Sequence, residues 1–179
     1  MSTMWQNTFR ERMRRFEAGR SPQPNELSVS IKVRVTSGCF HREHSPHAYT
    51  LIDRQLARLS ARANEFAFEE HESGPEILAY LAVATAGATL AKSVIDLITS
   101  IIKARSAGVR RGDRPSDPIE LVVRRIAHGS EFREEVVLRV GHNETVGATT
   151  IKERLDEALR KLARQDADRD EPEDSSQRS

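Results

Sequence analysis

Between Ile77 and Ala91 the chain runs for fifteen residues without a charge, and any fold it adopts must bury this stretch or place it in lipid. An amphipathic surface element would need a polar stripe that is missing here, so the run demands cover on more than one side. Pro75 and Glu76 offer a helix start, proline supplying the backbone angle of a first helical position and the carboxylate meeting the positive end of the dipole. These signals predict a long helix over roughly 75–105.

Two environments suit such a helix. Fifteen residues fall short of the roughly 20 that cross a bilayer, and extension to Ile102 takes in Lys92 and Asp96. Each charge costs about 2.5–3.5 kcal/mol at a bilayer centre. Four residues apart, the two can instead share one exposed helix edge in water. The flanks argue the other way: Glu65, Glu69, Glu70, Glu72 and Glu76 precede the run, and Lys103, Arg105, Arg110, Arg111 and Arg114 follow it. That is the positive-inside pattern, with the C-terminal side cytoplasmic. Ala84, Gly87, Ala88 and Ala91 permit close contact in lipid or against a sheet. The expectation is a buried core or oligomer helix. The alternatives are an inner-membrane helix over 77–102 and peripheral membrane attachment.

Around this run the patterning is that of a small folded domain. Leu27, Val29, Ile31, Val33 and Val35 alternate with Ser28, Ser30, Lys32 and Arg34, as a half-buried strand requires. Ala48, Leu51, Ile52, Leu56, Leu59 and Ala63 recur at helical spacing over about 46–63, and Glu65–Glu69 reads as a second short strand. Gly108, Gly112, Pro115 and Pro118 punctuate a basic loop. Ile119, Leu121 and Val123 then alternate, as do Val136, Leu138 and Val140 across a turn at Gly129 and Ser130, giving a hairpin. Thr150 and Glu153 make a capping-box pair ahead of Ile151, Leu155, Ala158, Leu159 and Leu162, one apolar face of a last helix. The order is β-α-β-α-β-β-α: an α/β or α+β two-layer domain, a small mixed sheet covered by helices.

With 179 residues, 37% hydrophobic, 31% charged and a net charge of +1, the chain suits one domain plus tails. We divide it into a basic segment and linker over 1–25, a single domain over 26–164 and an acidic disordered tail over 165–179. Aromatic residues make up 5%, too few for base-stacking platforms. Cys39 is the single cysteine and no signal-like apolar stretch opens the chain, so a reducing, cytoplasmic setting is expected.

Cys39, His41, His44 and His47 fall within nine residues and are all side chains that bind zinc. Their spacing matches neither a zinc finger nor the helical His-Glu-x-x-His site, and Pro46 favours a turn there, so the main expectation is a solvated polar loop without a cofactor. Zinc binding by the four and pH sensing by the histidines are the alternatives. His128-Gly129-Ser130-Glu131 holds triad-like residue types, but as neighbours in a turn without a strained elbow; Gly141-His142-Asn143-Glu144 and Gly147 also read as turns. No catalytic constellation emerges, and a non-enzymatic role is expected. The first twenty residues interleave five arginines with Trp5, Phe9 and Phe16. That pattern suits a docking helix for a partner protein or an anionic membrane surface, ahead of nucleic acid.

The run from Pro75 to Ile98, its basic end, and the strand Asp117-Pro-Ile-Glu-Leu-Val-Val resemble the effector-associated constant component family, small domains of bacterial conflict systems. The resemblance covers roughly residues 27–163. It implies an N-terminal strand, a helix, a short strand, an Ala/Gly-rich helix easily mistaken for a membrane span, a strand pair and a terminal helix. It further implies an adaptor that carries no active site and works beside a separate effector such as a protease. No functional residue carries over, and the basic N-terminal extension and the His-rich loop depart from the family pattern.

Overall fold

A computed structural model describes residues 4–21, 25–35, 40–59, 67–70, 76–84, 91–115, 118–126, 131–141 and 143–167. In chain order these form α1 (Met4–Ala18), β1 (Glu26–Val35), α2 (Pro46–Leu59), β2 (Ala67–Glu70), β3 (Glu76–Ala84), α3 (Lys92–Arg110), β4 (Ile119–Ile126), β5 (Phe132–Val140) and α4 (Ala148–Ala167). The fold is α+β. Five strands make one sheet in the order β2-β3-β1-β4-β5, and all four pairings are antiparallel, where a mixed sheet is expected from the sequence. The antiparallel hairpin of β4 and β5 forms as its alternation predicts. Its turn at 127–130 lies outside the described residues.

The predicted helix over 75–105 is instead two elements, and residues 85–90 between them lie outside the described residues. Residues 76–84 form β3, paired with β1 from Glu26↔Ala84 to Arg34↔Glu76 and with β2 on its other side. Its sequence lacks the polar alternation that marks β1, and periodicity alone cannot separate such a run from a buried helix. The spanning helix over 77–102 does not form either, since residues 77–84 of it belong to the sheet. No helix among the described residues is long and apolar enough to cross a membrane.

The C-terminal part of the predicted helix is α3, which buries Val94, Leu97, Ile98, Ile101 and Ile102 at helical spacing against the sheet. Each such side chain contributes about 1.5–3 kcal/mol through burial. Lys92 and Asp96 pair at 2.6 Å on its exposed edge. Leu27, Val29, Ile31, Val33 and Val35 from β1 and Ile119, Leu121 and Val123 from β4 face the same core, and α2, α3 and α4 cover that face. Helix α4 presents Ile151, Leu155, Ala158, Leu159 and Leu162 as expected. It starts at Ala148 with the Ile151 N–H on the Gly147 carbonyl, so Thr150 is already helical and the capping box does not frame the start.

The first segment is not a separate arm. Helix α1 lies on the opposite sheet face, where Phe9 and Met13 are buried against Ile126 and Phe132. That face also carries a charge ladder across three strands. Glu120 accepts from Arg34 at 2.8 Å and Arg139 at 2.7 Å, and Glu134 accepts from Arg34 at 2.8 Å and Arg124 at 2.6 Å. Residues 165–167, assigned to the acidic tail from the sequence, belong to α4, and 168–179 lie outside the described residues.

Candidate functional site

The start of α2 meets the end of α3, and an open cleft of about 480 Å³ runs between them, closed at one end by Glu144, Thr145 and Val146 ahead of α4. Leu51, Arg54, Gln55 and Arg58 recur at three- and four-residue spacing and therefore share one face of α2. Ser100, Lys103, Ala104, Ala107 and Arg110 do the same on α3. The space exists because the α3 row facing α2 carries short side chains at 100, 104 and 107. Leu51, Ile102, Ala104, Ala107 and Val146 give it an apolar lining.

Four exposed cations stand around that lining: Arg54, Arg58, Lys103 and Arg110. None of them is ion-paired among the described residues. Among the described lining residues the one acid, Glu144, turns its Oε2 to the Gly141 N–H at 2.9 Å and so serves its own turn. Guanidinium groups present paired N–H donors that match carboxylates. The described lining includes no histidine or cysteine, and its hydroxyls at Ser100, Ser106 and Thr145 have no base beside them. The arrangement is suited to holding an anionic chain whose apolar side chains enter the middle.

Of the four sequence-selected metal candidates, His41, His44 and His47 are among the described residues. Cys39 lies outside the described residues. The rings of His41 and His44 lie 4.4 Å apart, tilted by 45°, in the turn before α2. His47, in the first turn of α2, instead places Nδ1 2.7 Å from Oδ1 of Asp113. Among the described residues no group of three His, Cys, Asp or Glu side chains converges in a way that could hold a metal ion. His142 and the triad-like residues 128–130 lie outside the described residues, and Glu131 pairs with Arg133.

Asp113 is the residue that sequence reasoning passed over. It stands alone among Arg110, Arg111 and Arg114, yet it is buried, and its two oxygens accept the backbone N–H groups of His47 and Ala48 at 3.2 and 2.9 Å. Burial by itself would push this carboxyl up; the hydrogen bonds from Ala48 and His47 outweigh it and hold the group below its usual range. Nothing local in the sequence links positions 65 residues apart. The cleft cations were visible as a basic stretch at 103–114, but their opposition to Arg54 and Arg58 is a product of helix packing.

Comparisons with protein-family models, with curated proteins and with solved structures find no match to this chain.

Proposed function

We propose that the chain is a non-enzymatic interaction module, an adaptor-like domain whose cleft between α2 and α3 holds an acidic segment of a separate effector protein in the cytoplasm. The observation that carries this reading is the set of four cations, Arg54, Arg58, Lys103 and Arg110, without ion-pair partners among the described residues, arranged around an apolar lining. Surface charges left unpaired around a concavity raise the local concentration of an oppositely charged ligand and speed its encounter. The resemblance of residues 27–163 to the effector-associated constant component family supports the same role, since it implies an adaptor that works beside an effector such as a protease.

The test is affinity purification of the tagged full-length chain from its host, in nuclease-treated lysate with mild detergent, beside an Arg54→Glu/Arg110→Glu variant checked for folding by circular dichroism. The expected result is a stoichiometric protein that survives nuclease and is lost with the variant. Equal recovery by the variant, or recovery of nucleic acid alone, overturns the proposal.

A further inference from the structure

Five carboxylates, those of Asp168, Asp170, Glu171, Glu173 and Asp174, follow α4 within seven residues and are offset by Arg169 alone. This is the strongest concentration of negative charge in the chain, and the cleft is a concave concentration of positive charge. We infer that the acidic run of one copy occupies the cleft between α2 and α3 of a second copy, so that the protein associates tail to cleft. The inference rests on the cleft accepting acidic chain segments, as proposed above.

Geometry selects a second copy over the same one. The cleft wall at Glu144–Val146 lies immediately before α4, and the run begins one residue past its other end, Ala167. A helix of twenty residues is about 30 Å long. Seven extended residues span at most about 25 Å, and Asp168 and Asp170 only a fraction of that. In its own copy only the last acids of the run would come near the cleft. A second copy can offer its cleft to all five at once. Such a contact joins unlike surfaces and leaves each copy with one free end, so it builds rings or open chains rather than a closed pair. It also makes the tail a built-in competitor of the effector segment, released when a partner of higher affinity arrives.

Each exposed pair is worth up to about fivefold in affinity, so four together give a few hundredfold, weak and salt-dependent. The experiment is sedimentation equilibrium of the full chain up to about 500 µM at low salt. Two variants accompany it: a neutral-tail chain (D168N/D170N/E171Q/E173Q/D174N) and a cleft variant (R54E/R58E). The full chain is expected to show a mass above 20.2 kDa that grows with concentration and returns to monomer in about 500 mM salt. Each variant alone is expected to be monomeric. An equimolar mixture of the two should form a one-to-one complex that grows no further, because only one intact tail and one intact cleft remain to each pair.

A full chain that stays monomeric, a neutral-tail chain that still associates, or a mixture that stays monomeric overturns the inference. The two proposals separate cleanly. If Arg54→Glu/Arg110→Glu abolishes effector capture while the complementary mixture stays monomeric, the cleft binds acidic segments but not this tail.

Discussion

The carboxylate of Asp113 caps the first turn of a helix far upstream, its Oδ2 accepting the N–H of Ala48, 65 residues away, at 2.9 Å while Oδ1 takes the His47 N–H. The first turn of a helix leaves N–H groups without partners, and α2 has no acid of its own there. A cap of this kind is worth about 0.5–2 kcal/mol, with a further contribution from the positive end of the dipole. Asp113→Ala should therefore lower unfolding free energy by about 1–3 kcal/mol in urea titrations at pH 7, and Asp113→Asn by less. The pH dependence has a definite sign. The folded-state value of this group lies below its ordinary 3.8, so its stabilisation is present in full above that value and is lost as pH falls through it and below. The gap between wild type and Asp113→Asn should narrow as pH falls below that value. A gap that does not narrow in acid would show that the carboxylate charge is not what stabilises the cap.

Gly108 and Gly112 make that cap possible in different ways. A Cβ on Gly108 would run into Oδ2 of Asp113 and stand 2.9 Å from the Ala48 nitrogen, so the end of α3 reaches the start of α2 only without a side chain. Alanine would gain about 1 kcal/mol of helix propensity, but overpacking at a fixed backbone costs about 1–3 kcal/mol and the cap is displaced as well. Gly112 has φ of 106° and open space around it, so its replacement acts through backbone strain alone. Thermal melts should show Gly108→Ala clearly destabilised and Gly112→Ala lowered by about 1–2 kcal/mol. Wild-type melting of Gly108→Ala would mean that the two helices separate freely, and the close approach would lose its structural meaning.

Glu120 is the most buried member of the charge ladder, its side chain 2% exposed between Arg34 at 26% and Arg139 at 70%. Burial opposes its ionisation, yet the hydrogen bond and charge of Arg34, followed by Arg139, hold it below its usual range. Removing one partner of a fully buried ion pair costs about 3–5 kcal/mol, but both arginines here can return to water, so Glu120→Ala should cost about 1–3 kcal/mol. Arg139→Ala, at the wet end, should change stability by less than about 1 kcal/mol. Equal losses from the two substitutions in denaturant titrations would contradict this ordering.

Legibility in the sequence followed one-sided burial. Strand β1 and the β4–β5 hairpin announce themselves because one face of each is apolar, and α4 does so through Ile151, Leu155, Ala158, Leu159 and Leu162. Strand β3 lacks that contrast, because residues 77–84 carry no charge that marks a solvent face, and the uncharged run continues past it to Ala91, next to the start of α3. Helix α1 has a readable apolar stripe, but its target, Phe132, lies more than a hundred residues away across a Ser-Pro-Gln-Pro linker. The cleft was half legible. Arg54 and Arg58 fall at i and i+4, and Lys103 and Arg110 at i and i+7, so each helix shows its basic row, whereas the space between the rows follows from packing.

Trp5 is the single tryptophan and reports directly on how α1 is held. Its ring meets Phe132 edge to face at 4.8 Å, and the Arg124 guanidinium lies 4.9 Å from its centroid. Phe9 meets Phe132 in the same manner at 5.4 Å, so one ring on β5 anchors two on α1. Aromatic pairs of this geometry are worth about 0.5–1.5 kcal/mol beyond their burial. The buried cluster under α1 holds only Phe9 and Met13 besides partly buried neighbours, so α1 should release at lower free energy than the α2–α4 layer. Phe132→Ala should shift Trp5 emission to longer wavelength and increase its quenching by acrylamide. Far-ultraviolet dichroism should fall by no more than the fifteen residues of α1. In denaturant, the fluorescence transition of wild type should precede the dichroism transition. Coincident transitions together with an unshifted Phe132→Ala spectrum would show α1 to be an integral part of the domain's single cooperative unit.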